Sequence, residues 1–194
     1  MLRKKLSNFN LILASGSPRR QEFFKQLDVP FTIHIKEVDE IYPKHLKAAE
    51  ITDYLADLKS SVFTDLKEND LLVTSDTIVW FEGKAIGKPK DKLDAFNMLK
   101  EMSGKQHQVF TSVSIKSNSF QKIFNDETIV EFENFSDEEI NYYLENFKPF
   151  DKAGSYGIQD WVGLIGVKKI TGSYFNVMGL PVHKLYKELL KIAQ

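Results

Sequence analysis

The stretch VFTSVSIKSNSFQKIFNDETIVEF, residues 109–132, decides the fold class. Its two halves, Val109–Ile115 and Lys122–Phe132, are rich in β-branched and aromatic residues, which predicts two long strands next to each other in the chain. Helical and strand-like patterns are mixed on both sides of this pair. The combination predicts an α/β fold with a mixed sheet, not a purely parallel one.

Outward from this stretch, periodicity and capping patterns predict the remaining elements. The expected strands are 10–14, 31–35, 70–81 and 163–170, and the expected helices are 17–27, 48–66, 91–102, one opening at Ser136 with a capping box to Glu139, and 181–193. Gly83 is expected in a turn. Because no repeat or low-complexity linker divides the chain, one domain is expected over residues 1–194.

Composition excludes several classes of function. The chain has 194 residues, a net charge of −1 and no cysteine, so disulfides and thiolate metal sites are absent, and no global positive field would attract nucleic acid. The basic N-terminus precedes an apolar run too short for a signal peptide, and no stretch approaches the ~20 apolar residues of a membrane span. We expect a cytoplasmic protein with neither a nucleic-acid nor a membrane partner.

The segment LILASGSPRRQEFF, residues 11–24, has the pattern of an anion site. A buried strand leads through a glycine to Ser17, a good N-cap, and the free N–H groups of a helix start can bind phosphate. Arg19 and Arg20 lie where helix polarity disfavours cations, which makes sense if they are phosphate donors. The alternative is a solvated helix start with two surface arginines.

The apolar run VTSDTIVW, residues 73–80, carries one carboxylate, that of Asp76. A buried carboxylate needs a cation as partner, either a metal or a Lys or Arg side chain. The alternative reading puts Asp76, together with Thr74, on the solvent face of an edge strand.

Three further segments contain candidate residues. Lys88 stands in a stiff Gly-Lys-Pro loop, and residues 150–160 (FDKAGSYGIQD) form a polar loop that contains glycine. Glu37, Asp39 and Glu40 form an acidic group. This group supplies either metal ligands or, as we favour, only solubility. The four histidines show no metal-ligand spacing.

Five segments in order resemble the Maf-like nucleotide pyrophosphatases over about residues 10–190: LASGSPRRQEFF, SDTIV, GKPKDKLDAFNMLKEMSGKQHQVFTSV, DKAGSYGIQ and GSYFNVMGLP. The resemblance implies a Maf/ITPase-like α/β fold, with a long mixed sheet flanked by helices and two lobes around a central cleft. It also implies hydrolysis of a nucleoside triphosphate to the monophosphate and pyrophosphate, assisted by a divalent cation, Mg²⁺ or Mn²⁺. The DKAGSYGIQ segment is similar to the branch that acts on dTTP and UTP.

The resemblance also assigns roles to individual residues. It implies that Asp76 is the proton acceptor, that Glu40 and Asp76 hold the metal, and that the substrate is bound by Ser17, Arg19, Arg20, Lys59, Thr77, Lys88, Lys152 and Gln159. Arg19, Thr77 and Gln159 match positions tied to substrate choice. The family often has glycine after GIQ, where this chain has Asp160. A homodimer and modified pyrimidine substrates are compatible with the family; the alternative function is a non-catalytic nucleotide-binding regulator of cell division.

Overall fold

A computed structural model describes residues 1–193 and contains, within them, seven β-strands, eight α-helices and one 3₁₀ turn. The strands are β1 (Asn10–Leu13), β2 (Thr32–Ile33), β3 (Asp70–Phe81), β4 (Lys84–Ile86), β5 (Gln106–Lys116), β6 (Gln121–Phe132) and β7 (Val167–Thr171). The helices are α1 (Leu2–Lys5), α2 (Pro18–Gln26), α3 (Ala49–Ser61), α4 (Lys92–Met102), α5 (Asp137–Phe147), α6 (Trp161–Gly166), α7 (Tyr174–Val177) and α8 (Val182–Ile192), and the 3₁₀ turn is Ala153–Ser155.

The strands form one mixed sheet in the order β2-β1-β3-β5-β6-β7, with β4 paired to β3. Strand β1 runs parallel to both β2 and β3, whereas β4 is antiparallel to β3 and β7 is antiparallel to β6. The predicted mixed sheet is therefore confirmed. No helix of the described residues is long and apolar enough to cross a membrane.

The chain divides into two compact units. The first contains residues 1–76, 111–126 and the chain from Gly179 onward, and the second contains residues 77–110 and 127–178. The single domain expected over residues 1–194 stays a prediction.

Each unit has its own apolar core. In the first unit, Phe24 of α2, Leu13 of β1 and Leu189 of α8 are fully buried. In the second, one cluster joins Leu99 of α4 and Tyr143 of α5 to residues of the sheet and of the 150–160 segment. Burial of apolar area at about 25 cal/mol per Å² is the main stabilising contribution to both cores.

Most predicted elements are confirmed, and local chemistry explains their ends. Strand β3 spans 70–81 as predicted, and Gly83 follows in a turn with a positive φ of 79°. Helix α5 begins with the predicted capping box, in which Ser136 Oγ accepts from the Glu139 N–H and the Glu139 carboxylate accepts from the Ser136 N–H. Such a cap satisfies N–H groups that the helix itself cannot pair.

Three predicted elements differ from the structure. The strand expected at 31–35 is reduced to Thr32–Ile33, both exposed. The helix expected over 48–66 ends at Ser61, because Phe63 and the neighbouring Val62 pack with Ile12 and Leu72. The strand expected at 163–170 is wrong in its first half, which belongs to helix α6.

Helix α6 lies in close backbone contact with the segment that precedes it. A Cβ atom at Gly163 would lie 1.9 Å from the carbonyl oxygen of Ile158. Only glycine allows this approach, and β7 begins after the helix, at Val167.

Candidate active site

The turn from β1 into α2 presents backbone donors. Ser17 is the N-cap, with extended backbone angles (φ −69°, ψ 117°), and Pro18 takes the first helical position. The Ser17 side chain makes no capping hydrogen bond within residues 1–193, and the Ser17 N–H donates to Ser15 Oγ at 3.2 Å. The first turn of α2, Pro-Arg-Arg-Gln, contains no acidic residue. This helix start therefore has the properties of an anion site.

Arg20 is half-buried and donates to two backbone carbonyl groups. Its Nε lies 2.8 Å from the Gly179 oxygen, and its Nη1 lies 2.8 Å from the Ser75 oxygen. Burial lowers the pKa of the Arg20 guanidinium, and the charge of Asp76 opposes that change. The alternative of two arginines on a solvated helix start is therefore wrong for Arg20. Arg19 is half-buried as well.

Asp76 lies in the middle of β3 and is 6% exposed, while Thr74 is fully buried. Thr74 Oγ1 donates to the Ala56 carbonyl oxygen in α3 at 2.6 Å. The alternative that placed both residues on a solvent-facing edge is therefore wrong. A carboxylate at this depth needs an ionic partner.

Lys59 of α3 is the partner of Asp76. Its ammonium lies 2.6 Å from Asp76 Oδ1 and 2.8 Å from Glu40 Oε1. The Lys59 side chain is 18% exposed, whereas that of Glu40 is 51% exposed. Burial raises the pKa of Asp76, and the positive charges of Lys59 and Arg20 oppose that rise. The first unit thus holds a carboxylate with enhanced basicity next to two fixed cations.

Glu40 and Asp76 are a pair of carboxylates around one cation. Within residues 1–193, no group of three or more histidine, aspartate or glutamate side chains could hold a metal ion. Mg²⁺ is commonly bound by one or two carboxylates together with phosphate oxygens. The donor set therefore fits a divalent cation that shares the phosphates of a substrate, and it does not fit a metal held by protein ligands alone.

In the second unit, Thr77 follows Asp76 on β3 and is half-buried. Lys88 is exposed in the loop after β4. This loop is tied to the 150–160 segment, because the Gly154 N–H donates to the Gly87 carbonyl oxygen at 3.0 Å. The structure thus brings the loop that carries Lys88 to the segment that carries two other predicted residues.

Lys152 and Gln159 both contact the same carboxylate, that of Asp160. Gln159 Nε2 donates to Asp160 Oδ1 at 3.0 Å, and Lys152 Nζ lies 3.9 Å from Asp160 Oδ2. Lys152 also pairs with Asp151 at 2.8 Å. Two side chains that were predicted to bind the substrate therefore share one acidic neighbour.

Comparison with known proteins identifies the family. Residues 10–192 match the family described as Maf-like protein. The chain belongs to the Maf-like family. A dTTP/UTP pyrophosphatase from Flavobacterium psychrophilum is 60% identical over 191 residues, which cover 98% of this chain and 98% of that protein. A dTTP/UTP pyrophosphatase from Christiangramia forsetii is 57% identical over 190 residues, covering 97% of each chain. Among solved structures, the Staphylococcus aureus Ham1 protein has a TM-score of 0.48 and 15% identity, covering 94% of this chain and 99% of that chain.

Sequence reasoning about the site of this Maf-like protein missed Tyr143 and gave no role to Asp160. Tyr143 of α5 donates to Asp160 Oδ2 at 2.9 Å and is fully buried. Nothing in the sequence separates it from the other apolar-face residues of its helix. Asp160 was noted in the sequence as a departure from the resembling family, but its contacts with Gln159 and Tyr143 were not predicted.

Proposed function

We propose that this Maf-like protein hydrolyses dTTP and UTP to the nucleoside monophosphate and pyrophosphate. The observation that carries the proposal is the buried Asp76 carboxylate, held by Lys59 in a chain that is 60% identical to a protein named dTTP/UTP pyrophosphatase. The enzyme would act on the phosphoanhydride bond at the α-phosphorus, because that bond separates the two products.

Asp76 is the proton acceptor in this mechanism. Burial raises its pKa, which makes the carboxylate a stronger base for a proton of the attacking water than an exposed aspartate would be. Lys59 holds Oδ1 at 2.6 Å and leaves Oδ2 as the oxygen that we assign to that water. The same ammonium orients the carboxylate and keeps it charged.

The phosphate groups are assigned to the cations and to the start of α2. The backbone N–H groups after Ser17, with Arg19, Arg20, Lys88 and Lys152, would offset the charge of the triphosphate. Arg20 also has a structural role, because two of its N–H groups donate to carbonyl oxygens.

We assign a divalent cation, Mg²⁺ or Mn²⁺, to Glu40 and Asp76. When bound, such a cation would make the α-phosphorus more electrophilic and stabilise the leaving pyrophosphate. Lys59 bridges the same two carboxylates, so it would have to share them with the cation. Thr77 and Gln159 are assigned to the base, where a hydrogen-bonding site rejects a mismatched edge because its polar groups stay unpaired.

Product analysis tests the proposal. The protein is incubated with Mg²⁺ or Mn²⁺ and a panel of triphosphates that includes dTTP, UTP, CTP and modified pyrimidine nucleotides. We expect monophosphate and pyrophosphate from dTTP and UTP. Release of orthophosphate with a diphosphate would contradict the reaction, and tight binding without turnover would point to the non-catalytic regulator.

Asp76→Asn tests the proton acceptor. The variant keeps the shape of the side chain but loses most of its basicity, so we expect kcat to fall by about 10²–10⁴ with the fold intact. Asp65→Asn is the control, because Asp65 pairs with Lys36 on the exposed surface of the same unit. Normal turnover by Asp76→Asn would remove this residue from its role. Cytoplasmic location, a homodimer and the absence of nucleic-acid and membrane partners stay predictions.

A further inference from the structure

The carboxylate of Asp160 is the point where three donors of the second unit meet. Gln159 Nε2 donates to Oδ1 at 3.0 Å, and Tyr143 Oη donates to Oδ2 at 2.9 Å. The ammonium of Lys152 lies 3.9 Å from Oδ2. The Asp160 side chain is 18% exposed, so these contacts are largely shielded from water. An ionised carboxylate can only accept hydrogen bonds, so each of these neighbours must act as the donor.

Gly157, Tyr143, Asp160 and Gln159 form a series of hydrogen bonds in which the donor of each bond can be assigned. The Gly157 N–H lies 3.0 Å from Tyr143 Oη and can only donate to it. Tyr143 therefore uses its own proton for Asp160, and burial raises the pKa of Tyr143, which keeps that proton in place. Because Asp160 can only accept, the Gln159 amide must turn its NH₂ group towards Asp160 and its carbonyl oxygen away.

Gly157 provides the space for this arrangement. A Cβ atom at this position would lie 2.5 Å from Asp160 Oδ2 and 2.7 Å from Gln159 Nε2. Both side chains thus lie directly against bare backbone. The absence of a side chain at residue 157 is a requirement of the Asp160–Gln159 pair.

We infer that Asp160 is a positioning residue that locks the Gln159 amide in the orientation that reads uracil and thymine and rejects cytosine. The inference rests on the proposed function, in which Gln159 faces the base. In the locked orientation, Gln159 Oε1 can accept from N3–H of uracil or thymine, while the second Nε2 hydrogen can donate to O4.

Cytosine presents the opposite pattern, with an acceptor at N3 and a donor at N4. It would need the Gln159 amide turned by 180°, with Oε1 towards Asp160, where two acceptors would face each other. An unpaired or opposed polar group in a binding site is costly. A residue without a side-chain acceptor at position 160 could not exert this control.

Asp160→Asn tests the inference, because asparagine keeps the shape but can also donate. Its NH₂ group could pair with Gln159 Oε1 and allow the turned amide. Steady-state kinetics give the ratio of kcat/KM for UTP to that for CTP, and titration calorimetry in EDTA gives the ratio of the dissociation constant for CTP to that for UTP without turnover. We expect both ratios to fall by about tenfold, which corresponds to one charge-assisted hydrogen bond. The change in kcat/KM should lie mainly in KM.

Asp137→Asn is the matched control, because Asp137 is an exposed carboxylate of the same unit that pairs with Lys100. It should leave both ratios unchanged. If Asp160→Asn does not fold, Asp160→Gly removes the acceptor altogether and must show the same fall. Ratios within twofold of wild type in the folded variant would overturn the inference.

Failure of the proposed function has a different signature. A wild-type protein that binds UTP more tightly than CTP but releases no pyrophosphate would contradict the reaction, while the binding ratio of Asp160→Asn would still decide the role of Asp160. A wild-type protein without preference for uracil over cytosine would overturn the inference directly.

Discussion

Replacing Lys59 by methionine tests whether one ammonium keeps Asp76 charged inside the fold. Lys59 Nζ lies 2.6 Å from Asp76 Oδ1 and 2.8 Å from Glu40 Oε1. Methionine retains most of the apolar stem, so the main loss is the positive charge. Asp76 would then keep Glu40 as a neighbour of like charge without the cation between them. Removing one partner of a buried ion pair costs about 3–5 kcal/mol.

The free-energy cost of Lys59→Met cannot exceed the cost of protonating Asp76, because a neutral Asp76 no longer needs the cation. Neutralising a carboxyl group whose unfolded pKa is about 3.9 costs about 4 kcal/mol at pH 7 and about 1.5 kcal/mol at pH 5. Burial already raises the pKa of Asp76 above its unfolded value, and losing Lys59 raises it further. The folded variant then binds more protons than the unfolded chain, so its stability falls as the pH rises above the unfolded pKa. Its deficit relative to wild type should therefore grow with pH.

Urea denaturation at pH 5, 6, 7 and 8 measures this deficit. We expect Lys59→Met to lower the free energy of unfolding by up to about 4 kcal/mol at pH 7 and by no more than about 1.5 kcal/mol at pH 5. The acid limb of the pH profile of kcat/KM should also move to higher pH, because Asp76 must be ionised to accept a proton.

Lys100→Met is the matched control. Lys100 Nζ also lies 2.6 Å from a carboxylate oxygen, that of Asp137, but both side chains are more than half exposed. Exposed pairs contribute about 0–1 kcal/mol, with little dependence on pH. Equal losses for Lys59→Met and Lys100→Met, constant between pH 5 and pH 8, would refute the reasoning.

Three further predictions concern the fold around the site. Burial lowers the pKa of His107 to about 4, so the folded chain binds fewer protons than the unfolded chain between about pH 6.5 and pH 4, and stability falls as the pH falls through that window. When the pH is lowered from 7 to 5, the free energy of unfolding of His107→Gln should therefore fall by less than that of wild type. Urea denaturation that gave the same pH dependence for both proteins would contradict this. Ser136→Ala should lower the free energy of unfolding by about 1 kcal/mol, measured in the same way, because it removes the acceptor for the Glu139 N–H; an unchanged value would count against the cap. Gly157→Ala should raise KM for UTP while circular dichroism stays native, since its Cβ would displace Asp160; an unchanged KM would speak against that displacement.

The sequence predicted elements well where the signal is local. Strand β3 was predicted with its observed ends because a β-branched apolar run is bounded by Asp70 and by the turn at Gly83. The Asp70 carboxylate closes the preceding turn by accepting from the Lys67 N–H at 2.9 Å. Helix α5 was predicted for the same reason, because both partners of its capping box lie within four residues.

Prediction failed where tertiary contacts override local pattern. The apolar spacing of 48–66 is helical, but Phe63 contributes to a cluster with Ile12 and Leu72, and the chain leaves the helix at Ser61 to place it there. The end of α3 therefore depends on contacts with residues far away in sequence. Gly163 is a similar case, since its role depends on the position of the Ile158 carbonyl group.

Residue types in the site were predictable, but their convergence was not. A carboxylate in an apolar strand implied a cation for Asp76, and any lysine or arginine would have satisfied that requirement. Lys59 entered only through the family resemblance, and Glu40 stood in an acidic group for which solubility was the favoured reading. The distances of 2.6 and 2.8 Å to one ammonium are a property of the fold that no spacing along the chain encodes.

Arg20 explains why a helix start can tolerate a second cation in its first turn. Its guanidinium donates to the carbonyl oxygens of Ser75 and Gly179, whose partial negative charges, together with the Asp76 carboxylate, offset the unfavourable position near the positive end of the helix dipole. The planar fork of arginine reaches both carbonyl groups, whereas a lysine ammonium has no such geometry. Arg20 therefore links α2 to the strand that carries Asp76 and to the segment before α8. An Arg20 variant would lose both the proposed phosphate contact and the bonds that hold the strand of Asp76, so its effect on activity could not be assigned to one cause. Variants of Lys59 and Asp76 therefore test the proposed chemistry more directly.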